Sequence, residues 1–124
     1  MRTMTIAMAA VFSMPLFIGS CFERNQHHYP NKIVMPREGG TITVKGDACL
    51  VYFKLYDDKG DCVAYGGTVK EDAFVISHDW LTLKAPMNAP ELILSAEPLE
   101  GKKRRMKVYS LLGYDEMEIE VVQQ

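Results

Sequence analysis

Arg105-Met106-Lys107-Val108-Tyr109-Ser110 and Glu116-Met117-Glu118-Ile119-Glu120-Val121 decide the fold of this chain. In both stretches apolar residues take every second place, the period of a strand with one wet face. A two-residue turn at Gly113-Tyr114 predicts a hairpin in which Val108 faces Ile119 and Met106 faces Val121 on the dry side. On the wet side the same register sets Lys107 opposite Glu120 and Tyr109 opposite Glu118. Opposite charges across a strand pair contribute roughly 0.2–1 kcal/mol, so charge and apolar pattern favour one register. The basic run Lys102-Lys103-Arg104-Arg105 reads as a solvated strand start balancing these glutamates, with an anionic-lipid or glycan patch as the alternative.

Outward from this hairpin, the pattern from Lys32 onward is β throughout. Ile33-Val34-Met35 is a short strand closed by Pro36 and the Gly39-Gly40 turn. Thr41 to Val44 alternates, with Ile42 and Val44 inward. Ala48 to Tyr56 is expected as the longest strand, and Asp57-Asp58-Lys59-Gly60 as the hairpin loop after it. Further strands follow at Ala73 to Ser77, Trp80 to Leu83 and Glu91 to Ser95.

If the loop after Tyr56 closes regularly, Leu55 faces Cys62, Phe53 faces Ala64 and Tyr52 faces Tyr65. Cys49, Val51, Phe53, Leu55 and Cys62 then take the core face, while Tyr52, Lys54, Tyr56, Val63 and Tyr65 share the other. That register holds Cys49 and Cys62 about 20 Å apart along the strand. A disulfide needs Cα atoms within about 7 Å. Two buried, unpaired thiols are the preferred reading; a disulfide, which an oxidising compartment permits, is the alternative.

Before Lys32 the sequence changes character. Arg2 is the one charge before Glu23, and Met4 to Ile18 is mostly Met, Ala, Val, Phe, Leu and Ile. A positive start, an apolar middle and small residues at the end are the parts of a secretory signal. Pro15 and Gly19 interrupt the run, which argues against a spanning helix of ~20 residues. Ile18-Gly19-Ser20-Cys21 resembles a bacterial lipobox, which implies lipidation at Cys21 and an envelope lipoprotein, with the outer membrane as the expected location. Residues 1–20 are thus expected as signal peptide and 21–31 as a polar tether. His27-His28 belongs to that tether, since a metal site normally needs three or four converging ligands.

Composition narrows the function. The formal net charge of −2 becomes −3 once Arg2 leaves with the signal, too mild and too dispersed for a nucleic-acid partner. About 100 residues suffice for one small domain. Asp57, Asp58 and Asp61 lack the alternating spacing of a calcium loop. His78-Asp79 has no serine or cysteine placed for activation. Without a nucleophile–base pair or paired carboxylates, the expectation is a non-catalytic protein needing no cofactor or metal.

Seven to eight short strands at turn-marked spacing predict an all-β fold, an immunoglobulin-like antiparallel β-sandwich over 32–124. Gly39-Gly40 before an alternating strand, Trp80-Leu81 before a Pro-containing loop, Arg104-Arg105 entering a strand, and the Ile119-Glu120-Val121-Val122-Gln123 close together resemble the BACON domain (Bacteroidetes-associated carbohydrate-binding, often N-terminal). The chain departs from that family in lacking an earlier Trp and in reading Glu97-Pro98-Leu99-Glu100-Gly101 before the Arg pair. The resemblance implies a glycan-associated, non-catalytic role.

Sugars present apolar C–H faces that suit exposed aromatic rings ringed by polar groups. Tyr52, Lys54, Tyr56 and Tyr65 are therefore the candidate ligand residues, joined by Trp80 if it lies at a sheet end. The competing reading for Trp80 is burial between the sheets. Partners on this view are the membrane, through the lipid, and glycans. The alternative is a structural or protein-interaction subunit of an envelope assembly with no sugar site.

Overall fold

The computed structural model describes residues 27–112 and 115–124. Among these residues there are ten strands: β1 (Lys32–Met35), β2 (Gly40–Lys45), β3 (Val51–Tyr56), β4 (Cys62–Gly66), β5 (Thr68–Lys70), β6 (Ala73–His78), β7 (Leu81–Pro86), β8 (Glu91–Ala96), β9 (Arg104–Leu112) and β10 (Asp115–Gln123). They form two five-stranded sheets, β1-β10-β9-β3-β4 and β2-β8-β7-β6-β5. Every pairing is antiparallel except β1 with β10. The result is an immunoglobulin-like β-sandwich, with more strands than the spacing suggested.

The alternating hairpin settles as its sequence requires. Val108 pairs with Ile119, Met106 with Val121, Lys107 with Glu120 and Tyr109 with Glu118. The inward residues Met106, Val108, Met117, Ile119 and Val121 are buried. They meet Ile42, Val44, Leu81, Leu83, Leu92 and Leu94 of the second sheet in one continuous core. Two half-hydrophobic sheets have no other way to remove their apolar faces from water. On the wet face the ion pairs run diagonally, Arg105 to Glu120 at 3.3 Å and Lys107 to Glu118 at 3.7 Å.

The middle of the chain departs from strict alternation. Val51 and Phe53 pair with the adjacent β9 residues Leu111 and Ser110, so Tyr52 is an extra residue, in a β-bulge. Its φ of 52° lies in the left-handed region, which re-aims a side chain and sharpens the local twist. Leu50 is buried in place of Val51, and the long strand expected over 48–56 shortens to six residues. A second irregularity lies between Leu55 and Tyr56. Leu55 pairs with Ala64, Lys54 with Tyr65 and Phe53 with Gly66, while Tyr56 pairs with Cys62. The expected pairs Leu55–Cys62, Phe53–Ala64 and Tyr52–Tyr65 are therefore corrected by one to two residues. The two irregularities turn the thiols outward, the one at Tyr52 for Cys49 and the one at Leu55/Tyr56 for Cys62: both are unpaired, as preferred, but exposed rather than buried.

Four connections carry the chain from one sheet to the other, at 36–39, 46–50, Gly67 and 97–103, and two of them join edge strands. Residues 36–39 lead from β1 at the edge of the first sheet to β2 at the edge of the second, and Gly67 leads from β4 to β5 at the opposite edges. At the first crossing a polar clasp closes the sandwich. Gln123, fully buried, accepts Arg104 Nε–H at its Oε1 (2.8 Å) and donates through Nε2 to Pro36 O (2.9 Å) and Glu97 O (2.7 Å). Arg104 also donates to Glu97 O (3.0 Å) and Pro98 O (3.1 Å), and its guanidinium lies 4.8 Å from the centre of the Trp80 ring. Gly39, at φ +84°, passes so close that a Cβ there would lie 2.7 Å from Ala96 O. Only glycine fits that position without strain.

The described part of the expected tether is docked rather than free. His27 sits between two carboxylates, 3.3 Å from Asp47 and 3.3 Å from Asp115. Asn31 O accepts Glu120 N. Tyr29 is fully buried in the core cluster, its hydroxyl donating to Ala48 O at 2.6 Å. Gly46 leaves room for that ring, since any Cβ there would collide with it. The sequence looked polar here because one tyrosine among hydrophilic neighbours makes no period. The signal segment and the lipobox at 18–21 lie outside the described residues.

Burial, then the neighbouring Cys49, Asp47 and Glu91, raise the Tyr29 hydroxyl pKa above the ordinary phenol value. The unfolded chain loses this proton near pH 10 while the folded chain keeps it, so the stability is complete below pH 10 and falls above it. The steepest slope for one such group is ~1.4 kcal/mol per pH unit. Urea titrations from pH 9 to 11.5 should show a shallower decline for Tyr29→Phe, despite its lower stability at pH 7. Parallel declines would refute this assignment.

Candidate functional site

The residues singled out in the sequence end in three different places. Trp80 is 4% exposed beneath Arg104. It is a structural ring, and its candidacy as a ligand residue is corrected: its burial leaves no face for a sugar. Gly39, Trp80, Arg104 and Gln123, which carry much of the resemblance to the BACON domain, converge on the clasp. Their spacing is thereby accounted for by packing and hydrogen bonding.

On the outer face of the first sheet, Tyr65, Lys54 and Tyr109 form one cross-strand row. Tyr56 meets Tyr109 edge to face, with ring centres 5.1 Å apart. Lys54 is 3.7 Å from Glu116. The Glu118 carboxylate accepts the Tyr109 hydroxyl, and this hydrogen bond is the main cause raising its pKa above the ordinary value. Tyr56 and Tyr109 are therefore packed against each other, the edge of one ring on the face of the other. Tyr52 has left this row: its bulge carries the ring to Phe74 of the second sheet, 5.8 Å away and tilted by 46°. The shared Tyr52-Lys54-Tyr56-Tyr65 face expected from the sequence is thus divided.

Tyr65 remains, 77% exposed, on the lip of a groove of about 540 Å³. The groove is lined by Ala64, Tyr65, Gly67, Thr68, Lys70, Val75, Ile76 and Ser77. Its origin is topological. The β5–β6 ladder ends at Thr68–Val75 because Gly67 turns the chain away to the other sheet. Beyond that point Ile76 and Ser77 of β6 have no β5 neighbour, and the space between β6 and β4 stays open. Gly66 (φ 96°) and Gly67 (φ 131°) permit the turn. The groove offers the aromatic face and hydroxyl of Tyr65, the hydroxyls of Thr68 and Ser77, the ammonium group of Lys70 and no carboxylate.

Thr68, Lys70 and Ser77 were missed from the sequence. The signal was there in Gly66-Gly67, read as the end of a hairpin; taken instead as a switch between sheets, it would have placed β4 and β6 side by side. Among the described residues, no group of three or more His, Cys, Asp or Glu side chains could hold a metal ion. Asp57 uses its carboxylate locally, accepting Lys59 N and Asp61 N at 3.0 Å each, an Asx-type turn.

No family model matches the sequence, and no curated protein matches it. Among solved structures, the fold is similar to the NMR structure of a protein from Bacteroides thetaiotaomicron. The TM-score is 0.57 at 16% identity, over 76% of this chain and 75% of that one. At this identity the likeness shows a shared β-sandwich fold.

Proposed function

We propose that this chain is a non-catalytic, lipid-anchored protein of the bacterial envelope whose sandwich binds glycan in the groove between β4 and β6. The observation that carries the reading is Tyr65, a largely exposed ring beside a polar groove. An aromatic face set against hydroxyl and ammonium groups suits a sugar, which has apolar C–H faces and a polar rim. The lipobox-like Ile18-Gly19-Ser20-Cys21 supports the anchor, with Cys21 as the lipidated residue and the outer membrane as the location.

A second reading, a protein-interaction subunit without a sugar site, draws on large apolar side chains left exposed on β3, β4 and β5. Tyr52, Tyr65 and Val69 are all exposed, and β4 and β5, which carry the last two, are edge strands of the two sheets, where unpaired backbone can take a partner.

A glycan array probed with the full-length chain separates the two. The glycan reading expects binding that Tyr65→Ala weakens about tenfold, or ~1.4 kcal/mol, while Trp80→Phe changes affinity little. Binding to no glycan, or binding indifferent to Tyr65→Ala, favours the interaction subunit. Radiolabelled fatty acid should enter the chain in bacterial cells and be lost in Cys21→Ser; equal labelling of both removes the anchor.

A further inference from the structure

The groove does not end at β6. Ser77, in its lining, pairs across the second sheet with Thr82, Thr82 with Ser95, and Ser95 with Thr41. Four hydroxyl side chains thus cross four strands in one row on the outer face. Ser77 and Thr82 are 2.9 Å apart, and Thr41 and Ser95 3.0 Å. Neighbouring strands lie about 4.8 Å apart, so the row extends roughly 14 Å from the groove. A hydroxyl has one proton and two lone pairs, so each bonded pair keeps a proton and acceptor capacity for a ligand.

Charge on this face is one-sided. Lys84 pairs with Val75, in the next outward-facing row of β7 and β6, and Lys70 pairs with Ala73. Both lysines are exposed. Neither has a carboxylate within ion-pair distance among the described residues, including Glu71 and Asp72 of the adjoining turn. Glu91, opposite Lys45 at the far strand pair, is the one acidic residue on the outward positions of this sheet. The first sheet differs: its Lys54, Arg105 and Lys107 are each matched by a glutamate. In a chain of net negative charge, unmatched lysines beside a hydroxyl row suit an anionic, hydroxyl-rich ligand.

We infer that the groove and the outer face of the second sheet together bind a linear acidic glycan. One sugar stacks on Tyr65, the following residues lie along Ser77, Thr82, Ser95 and Thr41, and their anionic groups meet Lys70 and Lys84. This rests on the glycan reading above and adds to it the charge and length of the ligand. The shared chemistry is an anionic group on a sugar chain, either a uronate carboxylate or a sulfate ester.

The test is calorimetric titration of the full-length chain at low salt. The probes are galacturonate dimer and octamer, a sulfated dextran oligosaccharide, and a neutral dextran octamer. The acidic octamer should bind at least tenfold more tightly than the neutral octamer and than its own dimer. The combined Lys70→Gln and Lys84→Gln variant should remove the first advantage, and Thr82→Val with Ser95→Ala the second. Comparing galacturonate with the sulfated probe identifies the anionic group. Lys102→Gln with Lys103→Gln, exposed residues outside this face, should change nothing; equal loss from that pair would mark mere charge attraction and overturn the inference. Neutral and acidic octamers bound alike would also overturn it while leaving glycan binding intact. Binding to no probe, with neutral glycans on the array also silent, would remove both.

Discussion

The hydrogen bond from Arg104 to the buried Gln123 is the constraint around which the rest of the molecule is arranged. Gln123 lies at the end of β10, Arg104 at the start of β9, and their partners Pro36, Glu97 and Pro98 belong to connections between the sheets. A sandwich must cover its open sides, and the backbone groups of crossing loops must find partners once water is excluded. Gln123 does this with both ends of one amide. Trp80, buried beneath the guanidinium, shields the cluster from water and raises the value of each bond within it.

The opposite side of the molecule is closed by different means. There a single residue, Gly67, makes the crossing, and among the described residues no comparable polar cluster accompanies it. A three-residue β5 cannot cover all of β6, so the crossing leaves the groove by Tyr65. One side of the sandwich is thus sealed by side-chain hydrogen bonds, and the other keeps an opening whose lining is polar and aromatic. A rigid scaffold at one end with an accessible irregularity at the other is a common division of labour in sandwich proteins.

How far the sequence could reveal this follows from where period two holds. In β9 and β10 it holds without interruption, and residue-by-residue pairing was legible down to Lys107 opposite Glu120. In β3 it fails at Tyr52, because one bulged residue reverses the facing of all that precede it. That single event buried Leu50, exposed Cys49 and divided the tyrosines. Tyr29 was hidden for another reason: a lone aromatic in a polar stretch has no periodicity, and its burial depends on Gly46, seventeen positions away. The clasp residues were visible as a pattern, but only the fold gives them a structural purpose. Of the site, Tyr65 was legible as an outward aromatic, whereas its groove arises from pairing between segments and has no local signature.

The most direct measurement is a double-mutant cycle on Arg104 and Gln123, with unfolding followed in denaturant for the native chain, Arg104→Met, Gln123→Met and the pair. If the clasp acts as one unit, the double variant loses less than the two single losses added together, with a coupling of ~1–3 kcal/mol. Losses that add to within about 0.5 kcal/mol would mean that the two side chains act independently, and the account of what closes the sandwich would be wrong.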